Sequence, residues 1–250
     1  MHNLFLSNCN RMFKNKLFFA LCGVMFLFGF SSPISSAATA NGVKPTPDGS
    51  LFSFCLFAVA FASIFIAMFV GTEFSDGTIR NKLIVGNTRS SIYVSFLLIG
   101  MVACLFFALS YLLPYVALSF ILLSPFSTSF GTIVLALLAS MAIFAAFSAI
   151  YTMIVMLNTK KATVAVLSLL VMMGLIFVGN YIGGLLAKTD PNGMKYKLIS
   201  FAYDFIPGNQ AMRLKSSTPT KLILFTIYSA IACIGLTIIG AYKFKKKDLK

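Results

Sequence analysis

The sequence predicts an all-α polytopic membrane protein, one transmembrane domain over residues 1–250 with six spans and a short cytoplasmic helix between the second and third. Composition gives the first reason: 59% hydrophobic residues, 10% charged residues and a mean hydropathy of +0.93 exceed what the core of a soluble domain of this length requires. The second is the recurrence, six times, of uncharged apolar runs of about 20 residues, the length that crosses about 30 Å of hydrocarbon. The third is the way Lys and Arg sort between alternate loops, since basic residues are held on the cytoplasmic side.

The first run, about 17–38, begins with Arg11, Lys14 and Lys16. Its apolar centre "LFFALCGVMFLFGF" gives way to the small and polar "SSPISSAATA". A basic start, a short apolar centre and a small-residue end also describe a cleaved secretory signal peptide. The expectation is a retained first helix that finishes its span with Ile34, Ala37 and Ala38, and both readings leave the second run, about 51–70, crossing from outside to inside. The remaining runs lie near 92–113, 131–157, 162–187 and 222–242. An outer segment of about 188–220 separates the last two, and Pro191, Pro207 and Pro219 punctuate it.

With both termini inside, the cytoplasm receives thirteen of the twenty basic residues: Arg11, Lys14, Lys16, Arg80, Lys82, Arg89, Lys160, Lys161, Lys243, Lys245, Lys246, Lys247 and Lys250. The outside receives Lys44, Lys188, Lys195, Lys197, Arg213, Lys215 and Lys221, six of them in the long segment where the rule is weakest. The formal net charge of +14 then needs no nucleic acid. The terminal "KFKKKDLK" sits where anionic lipid would attract it, although a solvated charge run accounts for most of that tail. Tryptophan is absent, which leaves Tyr93, Tyr111, Tyr115, Tyr151, Tyr181, Tyr228 and Tyr242 as expected interfacial anchors near helix ends.

Several chemistries are excluded by what the runs lack. The only histidine, His2, stands outside every predicted span, and none of those spans carries Asp or Glu. That removes intramembrane proteolysis and weighs against a carrier that relays a coupling ion through midplane ionisable groups. Cys9, Cys22, Cys55, Cys104 and Cys233 are scattered singly, with no metal or disulfide spacing. Asn180 and Asn158 read as helix-packing or interfacial residues. No GxxxxGK[ST] loop is present, so no phosphate cradle of that kind exists and no cofactor is expected.

One loop interrupts this economy. "GTEFSDGTIRNKLIVGNTRSSIY", residues 71–93, holds Glu73 and Asp76 with Arg80, Lys82 and Arg89 between two uncharged runs. Ser75 or Asp76 can cap a helix start with a side-chain oxygen, and Gly86 supplies a stop at positive φ. Between them about two and a half turns are expected within 75–86. Phe74, Ile79 and Leu83 line one side, Ile84 and Val85 widen the stripe, and Arg80 with Asn81 lies off it. Asn87 or Thr88 caps the next span. Such a helix either lies on the lipid surface or docks its apolar side in a partner's groove.

The stretch "EFSDGTIRNKLIVGNTRSSIY" resembles the loop between helices two and three of type-2 ABC transporter permeases, the group that includes bacitracin-export and lantibiotic-immunity membrane subunits. "FIPGNQAMRL", residues 205–214, resembles the segment before that family's last helix, and "FKKKDLK" its C-terminal end. The resemblance implies six helices, a second permease copy, separate ABC ATPase subunits beneath, and residence in the bacterial plasma membrane. It implies that residues 75–86 are a coupling helix, with Glu73 at the cytoplasmic end of helix two and Asp76, Thr78, Arg80 and Leu83 facing or flanking the ATPase groove. It also implies that residues 188–220 dip back from the outer face. The cargo expected by analogy is amphipathic, such as an antimicrobial peptide, and is exported or extruded. Gly179 and Gly183 form a GxxxG, a close-packing motif. The departures are an N-terminal amphipathic helix shortened to about "LSNCNRMFKNK" and a first outer loop, about 33–50, too short for an extracellular domain. Readings of other classes are a secondary transporter and a non-transport sensor or assembly protein.

Overall fold

A computed structural model describes residues 2–39, 44–158, 160–190 and 193–247; Pro191 and Lys250, named above in the outer segment and the basic tail, lie outside them. All regular structure among the described residues is helical. In chain order the helices are α1 (His2–Phe13), α2 (Lys16–Ala38), α3 (Asp48–Leu51), α4 (Ser53–Ser75), α5 (Thr78–Ile84), α6 (Arg89–Leu122), α7 (Phe130–Leu157), α8 (Lys161–Leu186), α9 (Met194–Phe205), α10 (Pro207–Arg213) and α11 (Pro219–Lys246), with a 3₁₀ turn at Leu214–Ser216. Six stretches are long and apolar enough to cross a membrane: α2, α3 with α4 (Asp48–Ser75), α6, α7, α8 and α11. The chain is a multi-pass membrane protein.

The second, third and last spans run several residues further than the apolar runs alone indicate, while the other three match them to within one residue at each end. Membrane helices need to carry their polar ends out of the hydrocarbon, because a broken backbone inside it leaves unsatisfied N–H and C=O groups. The 34 residues of α6 extend about 51 Å at 1.5 Å per residue. The second span runs from Asp48 to Ser75, so it does carry acids, one near each end, where the shorter expected span 51–70 carries none.

Helices α4, α6 and α7 form the core, and their facing sides are lined by fully buried aromatic and small residues such as Phe65, Phe107, Phe147, Ala62, Ala103 and Ala146. Around them, α2 packs along α6, α11 along α7 and α8 against α4. The α2–α6 contact is so close at Gly29 that a Cβ there would overlap the carbonyl of Tyr111. Only a hydrogen fits between the two backbones.

The tyrosines correct one expectation. Tyr93, Tyr111, Tyr115 and Tyr151 are buried within the bundle, whereas Tyr181 and Tyr242 are exposed and Tyr228 is half-buried. Three of the four bond carbonyls of the second span or its lead-in: Tyr111 Oη donates to Ser50 O (3.1 Å), Tyr115 Oη to Pro47 O (2.5 Å) and Tyr151 Oη to Val59 O (3.2 Å). A buried phenol needs an acceptor, and a backbone carbonyl, which has two lone pairs, can supply one. Asn180 is exposed on α8.

Candidate functional site

The charged loop between the second and third spans lies at the end of the bundle shared with α1, the start of α8 and the end of α11. Helix α4 continues through Ser75, one turn beyond the apolar run. The turn that follows is made by Gly77 at φ 66°, a left-handed conformation that costs a residue with a side chain roughly 1–2 kcal/mol. Gly77 is the residue before α5, and neither Ser75 nor Asp76 caps that helix. Ser75 Oγ turns back to Gly71 O (3.3 Å) and Thr72 O (3.1 Å), and Asp76 is exposed at the end of α4. Gly86, at φ 97°, makes the second break as expected. Thr88 Oγ1 then accepts from Ser91 N (3.2 Å) and caps α6. The short helix is therefore Thr78–Ile84 rather than 75–86, hung between two left-handed glycines.

Glu73 is the centre of the site. Its side chain is fully buried, Arg11 pairs with it, Lys82 Nζ lies 2.8 Å from Oε1, and Thr78 Oγ1 donates to Oε2. Lys82 also donates to Asn8 Oδ1 (3.0 Å), and Asn8 Nδ2 donates to Ser95 Oγ (2.8 Å). Arg11 Nη2 donates to Phe69 O (2.9 Å) and Thr72 Oγ1 (3.0 Å), with the guanidinium stacked 4.4 Å over the Phe69 ring. Lys82 lies 4.8 Å over the Phe96 ring. One carboxylate thus ties α1, α4, α5 and α6 together, because an ionised acid out of water requires both opposite charge and hydrogen-bond donors. Two cations share that single acid. Burial, and then the neighbouring Arg11 charge, bring the Lys82 ammonium down to about 8. Burial also lowers Arg11, with Asp76 acting in the opposite direction.

The placement of the other loop residues follows from this anchor. Ile79 is 2% exposed and Leu83 packs half-buried on the core, as does Phe74, whose ring lies 4.6 Å from Lys247 Nζ. Thr78 is half-buried on Glu73. The apolar side expected to dock outward therefore faces the protein's own bundle. The residues turned outward are Asp76, Arg80, Asn81, Ile84 and Val85, with Ile84 and Val85 each 82% exposed. Two neighbouring branched apolar side chains standing off the end of a membrane protein, beside Arg80 and Asp76, make a compact surface of mixed character.

The same end is knitted to the C-terminal helix. Arg89 Nη1 donates to the carbonyls of Phe244 (3.2 Å), Lys245 (3.0 Å) and Lys247 (2.5 Å), closing the end of α11 as cations do at helix C-termini. Lys247 Nζ donates to Met156 O at the end of α7 (2.9 Å). Sequence reasoning missed α1 as a partner of the loop. Helix α1 runs back to His2 and buries Leu4, Asn8 and Met12, a stripe of four-residue spacing. The signal was available: a polar Asn on that stripe, and an acid at the end of a span with no cation fixed for it.

At the opposite end, the described part of the segment before the last span holds α9 and α10. Asp204 is held by Arg213 (2.6 Å) and Lys221 (3.4 Å), and Arg213 stacks 4.4 Å over the Tyr203 ring. Gln210 Nε2 donates to Asp204 O (2.7 Å) and Ser229 Oγ donates to Gln210 Oε1 (2.5 Å). Gly179 and Gly183 receive this segment rather than another span: a Cβ at Gly179 would stand 2.9 Å from Asn209 Cβ, and one at Gly183 2.9 Å from Tyr203 Oη. Gly208 lies against the α8 backbone at Leu175 and Ile176. Among the described residues no group of three or more metal-ligating side chains is gathered. No protein-family model matches the chain, and no curated protein matches it.

Proposed function

We propose that this chain is the membrane permease subunit of an ATP-driven ABC transporter, resident in the bacterial plasma membrane with both termini cytoplasmic. It pairs with a second permease copy and exports or extrudes an amphipathic compound such as an antimicrobial peptide. ATP hydrolysis belongs to a separate ATPase subunit, since the sequence has no phosphate-cradling loop of the GxxxxGK[ST] kind. The observation that carries this reading is α5 itself: a seven-residue helix set between two left-handed glycines, fixed from behind through Glu73, with Arg80 and Ile84 on its solvent side and Val85 exposed just after it. A helix lying passively on lipid would turn its apolar face away from the bundle and along the membrane plane. Here the inward face is already occupied and the outward pair stands at the tip, as a helix that fits a groove requires. The likeness of residues 73–93 to the coupling loop of type-2 permeases supports the same assignment.

The test is co-purification of the detergent-solubilised chain from its native host, intact and as Ile84→Asp with Val85→Asp. These positions are better probes than Leu83, whose half-buried side chain would report packing. The intact chain retains an ATPase with a phosphate-binding loop, and the double variant loses it while keeping its thermal stability. Retention of no ATPase by the intact chain, under conditions that preserve other membrane complexes, refutes the reading.

A further inference from the structure

We infer that the cavity between the start of the second span and α10 holds the head of an anionic lipid, whose acyl chain runs down an apolar stripe of α4. The site goes beyond the transport reading above and rests on neither an ATPase nor a second copy of the chain.

The cavity lies at the other end of the second span from Glu73. One wall is a single helical face, since Gly49, Phe52, Ser53 and Leu56 recur at i, i+3, i+4 and i+7 across α3 and α4. Met212 of α10 and Lys215 of the 3₁₀ turn face it. Its volume of about 130 Å³ equals about four waters at roughly 30 Å³ each. That accommodates a small head group and is too little for a whole lipid.

The lining is graded from polar to apolar. Gly49, Ser53 and Lys215 stand at one end, and Leu56 lies seven residues, about 10 Å, along the helix from Gly49. Beyond the cavity the same side of α4 continues through Ala60 and Ile64, both half-buried. The stripe from Leu56 to Ile64 adds about 12 Å toward the middle of the bilayer. A head above and a chain below match that order.

The charge comes from one lysine. Lys215 Nζ lies 3.4 Å from where a Cβ on Gly49 would stand, so the ammonium rests over the bare glycine at the cavity wall. Arg213 and Lys221 both pair with Asp204, whereas the Lys215 ammonium has no ion pair or hydrogen bond among the described residues. Asp48, the acid next to Gly49, is taken by Ser127 and Thr128. The cavity therefore presents an unneutralised cation above apolar walls. A single exposed lysine holds a soluble anion weakly, because water and salt screen the pair. A lipid is already confined to this depth at high effective concentration, so one added charge pair is enough to select an anionic head over a zwitterionic one.

The experiment uses the absence of tryptophan from the chain. Met212→Trp, at a side chain 46% exposed, places the only indole at the cavity. The full chain is reconstituted in vesicles of phosphatidylcholine and phosphatidylglycerol, with bromine on the acyl chains of one lipid or the other, and indole quenching gives their relative affinity. A preference of about fivefold for phosphatidylglycerol is expected at residue 212. It falls to parity when Lys215→Met is added and is retained with Lys215→Arg. Ile234→Trp on α11, at a side chain 61% exposed, shows parity, and Lys195→Met, removing an exposed lysine of α9, leaves the preference at 212 unchanged. No preference at 212 overturns the inference. An equal preference at 234, or an equal fall with Lys195→Met, assigns the effect to the general field of a basic protein and also overturns it. Millimolar glycerol phosphate in the buffer leaves the preference in place. Its disappearance there would mean that a free head group fills the cavity, and the lipid assignment would fail.

Discussion

Replacing Glu73 by Gln removes one charge and keeps the shape, so it isolates what the carboxylate does for α5. In the native protein the Glu73 side chain is fully buried, while its two cations are unequally exposed, Arg11 at 38% and Lys82 at 18%. Removing one partner of a buried ion pair costs roughly 3–5 kcal/mol, because the remaining charge is left out of water. Arg11 can turn back to solvent and Lys82 largely cannot, which places the expected cost near the low end, about 3 kcal/mol. The loss falls on what the acid holds together, namely α1, α5 and the end of α4, and not on the α4–α6–α7 core. The assay is amide hydrogen exchange in lipid nanodiscs. A local cost of about 3 kcal/mol raises the opening equilibrium of residues 78–86 by roughly 100-fold, while residues 143–156 of α7 keep their protection. Arg11→Met gives a smaller increase in the same segment. If α5 exchange is unchanged by Glu73→Gln, or if α7 loosens to the same extent, then Glu73 is not the anchor of α5 described here.

Gly77→Ala and Gly86→Ala each force a Cβ into left-handed backbone, and each is expected to cost roughly 1–2 kcal/mol. Exchange limited to residues 77–88 is the readout, and identical stability of both variants to the native protein contradicts the turn geometry. Lys82, brought down to about 8, is expected to titrate near that pH in NMR spectra of the reductively ¹³C-methylated protein, with the resonance absent in Lys82→Arg. The sign follows from linkage: between about 8 and the ordinary 10.5 the folded protein binds fewer protons at this site than the unfolded chain. Stability attributable to Lys82 therefore rises with pH across that window. A flat difference between native protein and Lys82→Met from pH 8 to 10 argues against it.

Much of this architecture is written in the sequence, because hydropathy over twenty residues is a strong signal and the bilayer leaves helices few alternatives. All six spans stand where the apolar runs stand, and Gly86 and Thr88 make the break and cap expected of them. The failures share a cause. Tyr111, Tyr115 and Tyr151 lie on apolar runs as anchors would, but which face of a helix turns inward depends on neighbours that periodicity does not name. In α5 the seven-residue pattern fixed an apolar side without saying what it faced. Ile79 and Leu83 fit either assignment until α4 and α6 are in place. Asn8 and Arg11 stand 65 and 62 residues before Glu73 in the chain, a pairing that no local spacing displays.

Acidic residues are rare here, six in the whole chain, and three of them do one kind of work. Asp48 accepts from Ser127 N (2.9 Å), Ser127 Oγ (2.5 Å) and Thr128 N (3.3 Å), and so holds the connection between α6 and α7. Glu73 holds α1 and α5, and Asp204 holds the turn from α9 into α10. Each is buried, and each fastens a segment too short or too polar to be held by hydrophobic burial alone. Long spans need no such fastening, since their apolar length and backbone bonding already fix them in lipid. A common outcome is therefore expected: neutralising any of the three loosens one segment and leaves the spans assembled. Asp204→Asn is the sharpest case, because the Asp204 side chain is 11% exposed and Arg213 and Lys221 are 22% and 39% exposed. Lys221 can rehydrate, and the Asp204 carboxylate keeps some contact with solvent where Glu73 has none, so the cost is about 2 kcal/mol, below the range for a fully buried pair. That corresponds to a roughly 30-fold rise in exchange for residues 200–214. Gln210 still bonds the backbone carbonyl of residue 204 and Ser229, which keeps α10 seated against α8. Release of the whole 194–216 segment, or a loss of protection in α8 as large as that in α9, would mean that Asp204 supports the bundle itself, and the division of labour between acids and apolar spans would fail.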